Sequence, residues 1–473
     1  MVFSSMIFIF VFLVLCYTCY IFGKTMKTRN IILLVSSLIF YAWGGAPLVL
    51  LLCLMTFICW AGAIIIDNQS NGKRKNLYCA IVTGLCLSLL FIFKYTVFLL
   101  TGFYDLFSIS GFIPSITLPI GISFYTFQLI SYVIDVKRGD VPAQKKYWLL
   151  LLYASLFHQC IAGPIVRYAD VDYDINNRVM TPEETAKGFM RFATGLAKKA
   201  ILANGCATIA DRMLPQSIDS LSEQPAAAVL LGVFCFMLQI YLDFSAYSDM
   251  AIGMGLMIGF HYKENFNYPY IAQSVTDFWR RWHISLSTFF RDYVYIPLGG
   301  NRVSVPRHIF NLFVVWALTG FWHGASWNYL LWGIYYFVFL VIEKYLIKPK
   351  KSTSLHIRIP KTLLTLVIVF FGWMIFKFED LSLLGVALKN LFNFANFTNL
   401  EVNTLFINNI FFLTVCCIAC TPIIPAISKK LCVSQTGTRV NAVISAVTPA
   451  LLIVLSGFML AGDSYNPFLY FQF

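Results

Sequence analysis

The chain has 473 residues, of which 59% are hydrophobic and 12% charged, and its mean hydropathy is +0.73; about a quarter of the residues in an average globular domain are charged. A water-soluble enzyme is therefore excluded, and an integral membrane protein is predicted. The net charge of +13 does not point to nucleic acid, because the basic residues sit in short loops between apolar runs, where they set topology.

Apolar runs near 2–22, 31–41, 47–66, 77–100, 116–134, 147–162, 189–210, 226–260, 309–347, 362–378, 405–427 and 441–461 predict roughly ten to twelve helices that cross or enter a hydrocarbon core about 30 Å thick. Runs too short or too polar to span are expected to be re-entrant. The first run lacks a basic leader and a small-residue cleavage site, so a retained helix is expected there rather than a signal peptide. Lys24 to Arg29, Lys73 to Lys75, Lys137 with Arg138, Lys145 with Lys146, Arg280 to Arg307, Lys344 to Lys361 and Lys429 to Arg439 can all be cytoplasmic in one alternating threading. That threading puts both termini outside the cytoplasmic membrane.

The polar stretches Arg167 to Lys187 and Pro349 to Pro360 are too short to build cores of their own, so residues 1–473 are expected to form a single membrane domain. Thirteen cysteines include Cys16/Cys19 and Cys417/Cys420, both spaced as CxxC. Both pairs lie in apolar helices with no further ligands nearby, so packing is expected and no metal site is predicted.

Within the 226–260 run, Gly253, Gly255 and Gly259 imitate a dinucleotide fingerprint, but no strand precedes them. Close helix packing is the expectation. Asp243 and Asp249 are costly inside a bilayer and so are functional candidates by default. On an unbroken helix their six-residue offset puts them on nearly opposite faces. The alternative is a structural role, with one or both paired to Arg280, Arg281 or Arg291.

Residues 277–302 concentrate Trp279, Arg280, Arg281, Trp282, His283 and Arg291 in apolar surroundings. At 100° per residue Arg280, His283, Ser287 and Arg291 fall on one helical face, which would make a polar stripe. Its arginines leave His283 open to an anion-contacting role or a structural one. His323 follows, flanked by Phe321, Trp322, Gly324, Ala325 and Trp327. Its small neighbours are expected to leave a cavity beside a buried imidazole. A pKa near 6.5 suits it to general-base work, although a lone buried histidine also serves as a packing residue.

Four blocks, Asp243 to Gly253, Asn265 to Tyr270, Asp277 to Arg302 and Gly320 to Ala325, resemble in the same order the signature blocks of the membrane-bound O-acyltransferases. The likeness is to their bacterial polysaccharide branch, typified by the alginate O-acetylation membrane subunit. One departure is Ala246, where the branch commonly has Gly. The resemblance implies an all-α helical bundle with a central funnel and re-entrant helices, His323 at the constriction and His283 on the donor side. It also implies transmembrane acyl transfer, since an activated thioester exists only in the cytoplasm and the sugars are outside. Trp279, Arg280, Arg281 and Arg291 would then contact an anionic donor, acetyl-CoA or an acyl carrier protein, with no tightly bound cofactor.

Residues 463–473 are expected to form an extracellular aromatic tail, which alone would read as an interfacial anchor among membrane lipids. The resemblance instead matches Phe468, Tyr470 and Phe473 to an F-x-Y-x-x-F pattern that supplies an acyl-accepting tyrosine. A phenol with pKa near 10 needs a base, for which His323 is the candidate, and His283 is a candidate donor to the oxyanion. The implied partner is an extracellular SGNH-type acyltransferase. D-alanyl transfer to teichoic acids is the alternative within the family. A transporter is the alternative outside it, but the paired internal repeats expected of one are not found.

Overall fold

The computed structural model describes residues 3–161, 163–349 and 351–462; Tyr470 and the rest of the aromatic tail lie outside the described residues. Among those described, all regular structure is helical and there is no strand. Seven helices are long and apolar enough to cross a membrane: Ala46–Asp67, Gly72–Phe107, Ala226–Met257, Trp327–Ile347, Leu355–Lys377, Leu400–Ala419 and Gln435–Ala461. The protein is thus an all-α, multi-pass membrane protein.

Several predicted runs proved shorter than their hydropathy suggested. The 147–162 run breaks at Leu156 into Tyr147–Ser155 and Phe157–Cys160, neither long enough to span at 1.5 Å per residue. The 309–347 run is a helical hairpin, Val305–His323 and Trp327–Ile342, turning at an extended Gly324 (φ −170°, ψ 162°).

The helix Ala226–Met257 is the centre of the molecule, since 78% of its most apolar window is buried against 17% for Gly72–Phe107. The helix Pro182–Ala197 lies along it, continuing through a π-helical turn, Lys198–Ala203, into Asn204–Met213. The two helices meet backbone to backbone. A Cβ on Gly188 would come within 2.6 Å of the Gly253 carbonyl oxygen, and one on Gly195 within 2.7 Å of the Ala246 oxygen. Gly253 therefore works as a packing contact, as small residues do between membrane helices.

This approach sets the partners of the buried carboxylates. Asp243 pairs with Lys199 at 2.6 Å, and Asp249 with Lys198 at 2.7 Å and Arg191 at 3.0 Å. The expected pairing with Arg280, Arg281 or Arg291 does not occur. Nor do the two carboxylates serve opposite sides of the molecule: the helix is unbroken, yet both reach cations of residues 191–199 at successive levels.

Candidate functional site

The expected continuous stripe from Arg280 to Arg291 is broken at His283. One short helix ends at Trp279, the next starts at Ile284, and between them His283 adopts a left-handed conformation (φ 43°, ψ 56°). Such backbone is uncommon outside glycine and persists only where its surroundings hold it. Asn265 provides that hold from the loop after the central helix. Its backbone oxygen accepts from Ile284 N at 2.9 Å, and its Oδ1 accepts from Ser285 N at 3.2 Å and Ser285 Oγ at 2.9 Å. The first two N–H groups of the new helix, Ile284 and Ser285, are thus satisfied from another part of the chain.

The same oxygen fixes the imidazole. A backbone N–H can only donate, so the Asn265 atom facing Ser285 N is the oxygen, and His283 Nδ1, 3.2 Å from it, carries the hydrogen. His283 Nε2 is buried and has no hydrogen-bond partner among the described residues. In the neutral ring it presents a lone pair, so His283 accepts a hydrogen bond at the site and donates one there only when protonated. A donor role toward an oxyanion therefore requires the protonated ring.

His323 closes the helix Val305–His323. The expected space beside Gly324 is taken, because a Cβ there would sit 2.3 Å from the Tyr329 ring. The cavity lies on the other side. It is ≈ 240 Å³, and its lining includes His283, His323, Trp279, Trp316 and Thr319, with Arg280, Ser287 and Arg291. Trp322 packs against both imidazoles, its ring centroid 5.7 Å from His283 and 5.0 Å from His323. Trp332 and Phe376 pack against the His323 ring in T-shaped contacts, with centroids at 5.0 and 5.1 Å, and its Nδ1 is buried without a hydrogen-bond partner among the described residues. The indole N–H of Trp279 is likewise unpartnered.

The cavity thus gathers His283, His323, Trp279, Arg280 and Arg291. It does not include Arg281, which pairs with Asp277 at 3.2 Å and donates to the Asn267 carbonyl at 3.1 Å. Burial raises the Asp277 pKa, but hydrogen bonding to Lys351 and the charge of Arg281 outweigh it, so the carboxyl stays below its ordinary range and charged. Asp243 and Asp249 also lie away from the cavity. Arg280 and Arg291 are exposed at its rim, and Arg291 is partly neutralised by Asp292 at 2.6 Å.

Comparison with known proteins matches residues 145–379 to the model of the MBOAT, membrane-bound O-acyltransferase family. A relative from Pseudomonas aeruginosa named "Probable alginate O-acetylase AlgI" is 40% identical over 86% of this chain and 79% of its own length. The chain belongs to that family. A protein of the same name from Azotobacter vinelandii is 36% identical over the whole of both chains. The peptidoglycan O-acetyltransferase of Helicobacter pylori is 33% identical over 83% of this chain and 80% of its own. The protein is accordingly a membrane O-acyltransferase.

Two residues that contact the cavity's histidine-bearing segments escaped the sequence reading. Asn265 stood inside a recognised block without a role, although a buried amide is expected to hold hydrogen bonds. Lys94 lay hidden in the 77–100 run, where a single cation in an apolar span was the available signal.

Proposed function

We propose that the protein relays acetyl from a cytoplasmic thioester, acetyl-CoA, across the cell membrane for O-acetylation of an extracellular polysaccharide. The observation that carries this reading is the pair of imidazoles, His283 and His323, on one cavity with two arginines at its rim. At ≈ 240 Å³ the cavity falls below the roughly 300–1,000 Å³ of ordinary ligand pockets. It suits the acyl-thioester end of a donor, with the anionic carrier left outside at Arg280 and Arg291. The relatives are named for O-acetylation of alginate and peptidoglycan, which supports acetyl as the group and a polysaccharide as its destination.

In this reading His323 removes the proton from an acceptor hydroxyl whose oxygen attacks the thioester carbonyl. The C–S bond breaks and the departing thiolate takes the proton back from the imidazolium. His283 Nε2 orients the donor by accepting a hydrogen bond from it. Tyr470 is the proposed acceptor, on the Phe468/Tyr470/Phe473 pattern, and would pass acetyl to an extracellular SGNH-type partner.

The test is His323→Ala, with ester content of the extracellular polysaccharide measured at matched protein levels. A loss of about 10²–10⁴-fold is expected, and ester at the wild-type level would remove His323 from the mechanism. Tyr470→Phe keeps the ring and deletes only the nucleophilic oxygen. It is expected to abolish transfer and the acetyl adduct seen on the C-terminal peptide of the wild type by mass spectrometry; an active variant would refute the relay.

A further inference from the structure

An α-helix leaves its last four carbonyls without intrahelical partners, and a bilayer offers no water to satisfy them. At the end of the helix Val305–His323, three consecutive carbonyls are met by two consecutive side chains of Gly72–Phe107. Tyr95 Oη donates to Phe321 O at 2.5 Å. Lys94 Nζ donates to Trp322 O at 2.5 Å and to His323 O at 3.2 Å.

A lysine inside a membrane-spanning segment of mean hydropathy 2.1 is expensive unless something answers its charge. Among the described residues Lys94 makes no ion pair; what faces it is the negative end of a helix, equivalent to about half a unit charge. Buried lysines elsewhere in the fold meet carboxylates, as Lys199 meets Asp243. Lys94 instead spends its donors on the main chain of the residue whose imidazole lines the cavity and on that of its neighbour Trp322, which packs between the two histidines. The contact touches no side chain of the site; it reaches His323 through the main chain of the helix end.

We propose that Lys94 is a positioning residue for His323, fixing the last turn of its helix from the neighbouring span, with Tyr95 locking the same turn. The inference rests on the reading of His323 as the base. The amino group replaces the caps a soluble helix would find in water or glycine, and it holds the imidazole at the angle from which a proton can be taken. Displacing a catalytic group by about 1 Å can cost on the order of 10²-fold in rate.

The experiment uses the full chain in inverted membrane vesicles of the producing cell, which keep the onward acceptor, with acetyl-CoA consumption as the kinetic probe and polysaccharide ester content in cells as the second readout. Lys94→Met is expected to lower kcat by about 10–100-fold with KM for acetyl-CoA little changed. Lys94→Arg, which keeps a charged donor, is expected to recover most of kcat. Tyr95→Phe should show a smaller fall of the same kind, and it carries the test alone if Lys94→Met fails to accumulate. A wild-type kcat in the folded Lys94→Met protein, or in Tyr95→Phe where that protein cannot be made, overturns the inference. So does a change confined to KM, or an Arg variant as poor as Met. His323→Ala separates the two failures: full activity there removes the functional reading, whereas an inactive His323→Ala beside an unaffected Lys94→Met removes only the role of Lys94.

Discussion

The helix pair at the centre of the molecule and the wall of the cavity differ in how their ionisable side chains are answered. Along the first, Asp243 and Asp249 each find cations within 3.0 Å. Along the second, His283 Nε2, His323 Nδ1 and the Trp279 indole N–H are buried without hydrogen-bond partners among the described residues. An unmet buried polar group costs about 1–3 kcal/mol; the central pair bears it at Gln239 Oε1 and Asn204 Nδ2, while its two carboxylates are answered. The paired charges in the middle of this membrane protein therefore mark packing between helices rather than the cavity.

The largest test of the contrast is at Asp243. Asp243→Leu removes the carboxylate that pairs with buried Lys199, and is expected to destabilise the folded protein by about 3–5 kcal/mol, read as a fall in Tm in detergent. Adding Lys199→Met should restore most of that loss, because the charge needing an answer is gone. Equal instability of the single and double variants would contradict a scaffold role. Changes at the cavity rim should instead spare Tm and touch the donor. Arg280→Ala and Arg291→Ala are expected to raise KM for acetyl-CoA by about twofold to fivefold each, the range of exposed ion pairs, with kcat unchanged. Arg280 should matter more, since Arg291 is partly neutralised by Asp292. Both effects should shrink as salt rises, and a salt-independent loss of kcat would break the division.

The smallest effect is at the exposed loop beyond the central helix. His261 Nε2 lies 3.0 Å from Glu184 and its Nδ1 3.4 Å from Asp174. The hydrogen bond with Glu184 leads in raising the His261 pKa above 6.5 and in holding that of Glu184 below 4.5. Histidine's contribution is complete below pH 6.5 and fades as pH rises through its raised value; glutamate's is complete above pH 4.5 and fades as pH falls through its lowered value. The pair should therefore stabilise most between those two values. His261→Gln should flatten the Tm profile there slightly while leaving transfer intact; an unchanged profile would show the contact to be energetically silent.

Much of this was legible in the chain. Hydropathy revealed a polytopic helical protein, and the crowding of Arg280, His283 and Arg291 in one apolar stretch located the cavity wall. The continuous helix through them was not real, because periodicity within a segment cannot report that Asn265, on a separate loop, will bend the backbone at His283. The stripe residues still meet at one cavity, for a reason the 100° rule did not contain. The carboxylates were legible as buried charges and their partners were not: Lys198 and Lys199 sit in a run read only as apolar, and the glycine contact that presents them to Asp243 and Asp249 exists only between helices. Arg281 looked equivalent to Arg280 by composition and was turned away by Asp277 four residues earlier.

The ion-paired helices also bear on how the chain enters the bilayer. Lys198 and Arg191 precede Asp249, to which both are bound, by 51 and 58 residues, so a ribosome exposes the cations well before their counter-ions exist. A translocon releasing segments one at a time would meet a helix that is not among those apolar enough to cross alone, and whose basic residues would each cost about 2.5–3.5 kcal/mol if placed at mid-membrane. It would hold that helix at the water boundary until the acidic one emerged. Residues 182–257 would then leave the channel together, as a single neutralised insertion unit.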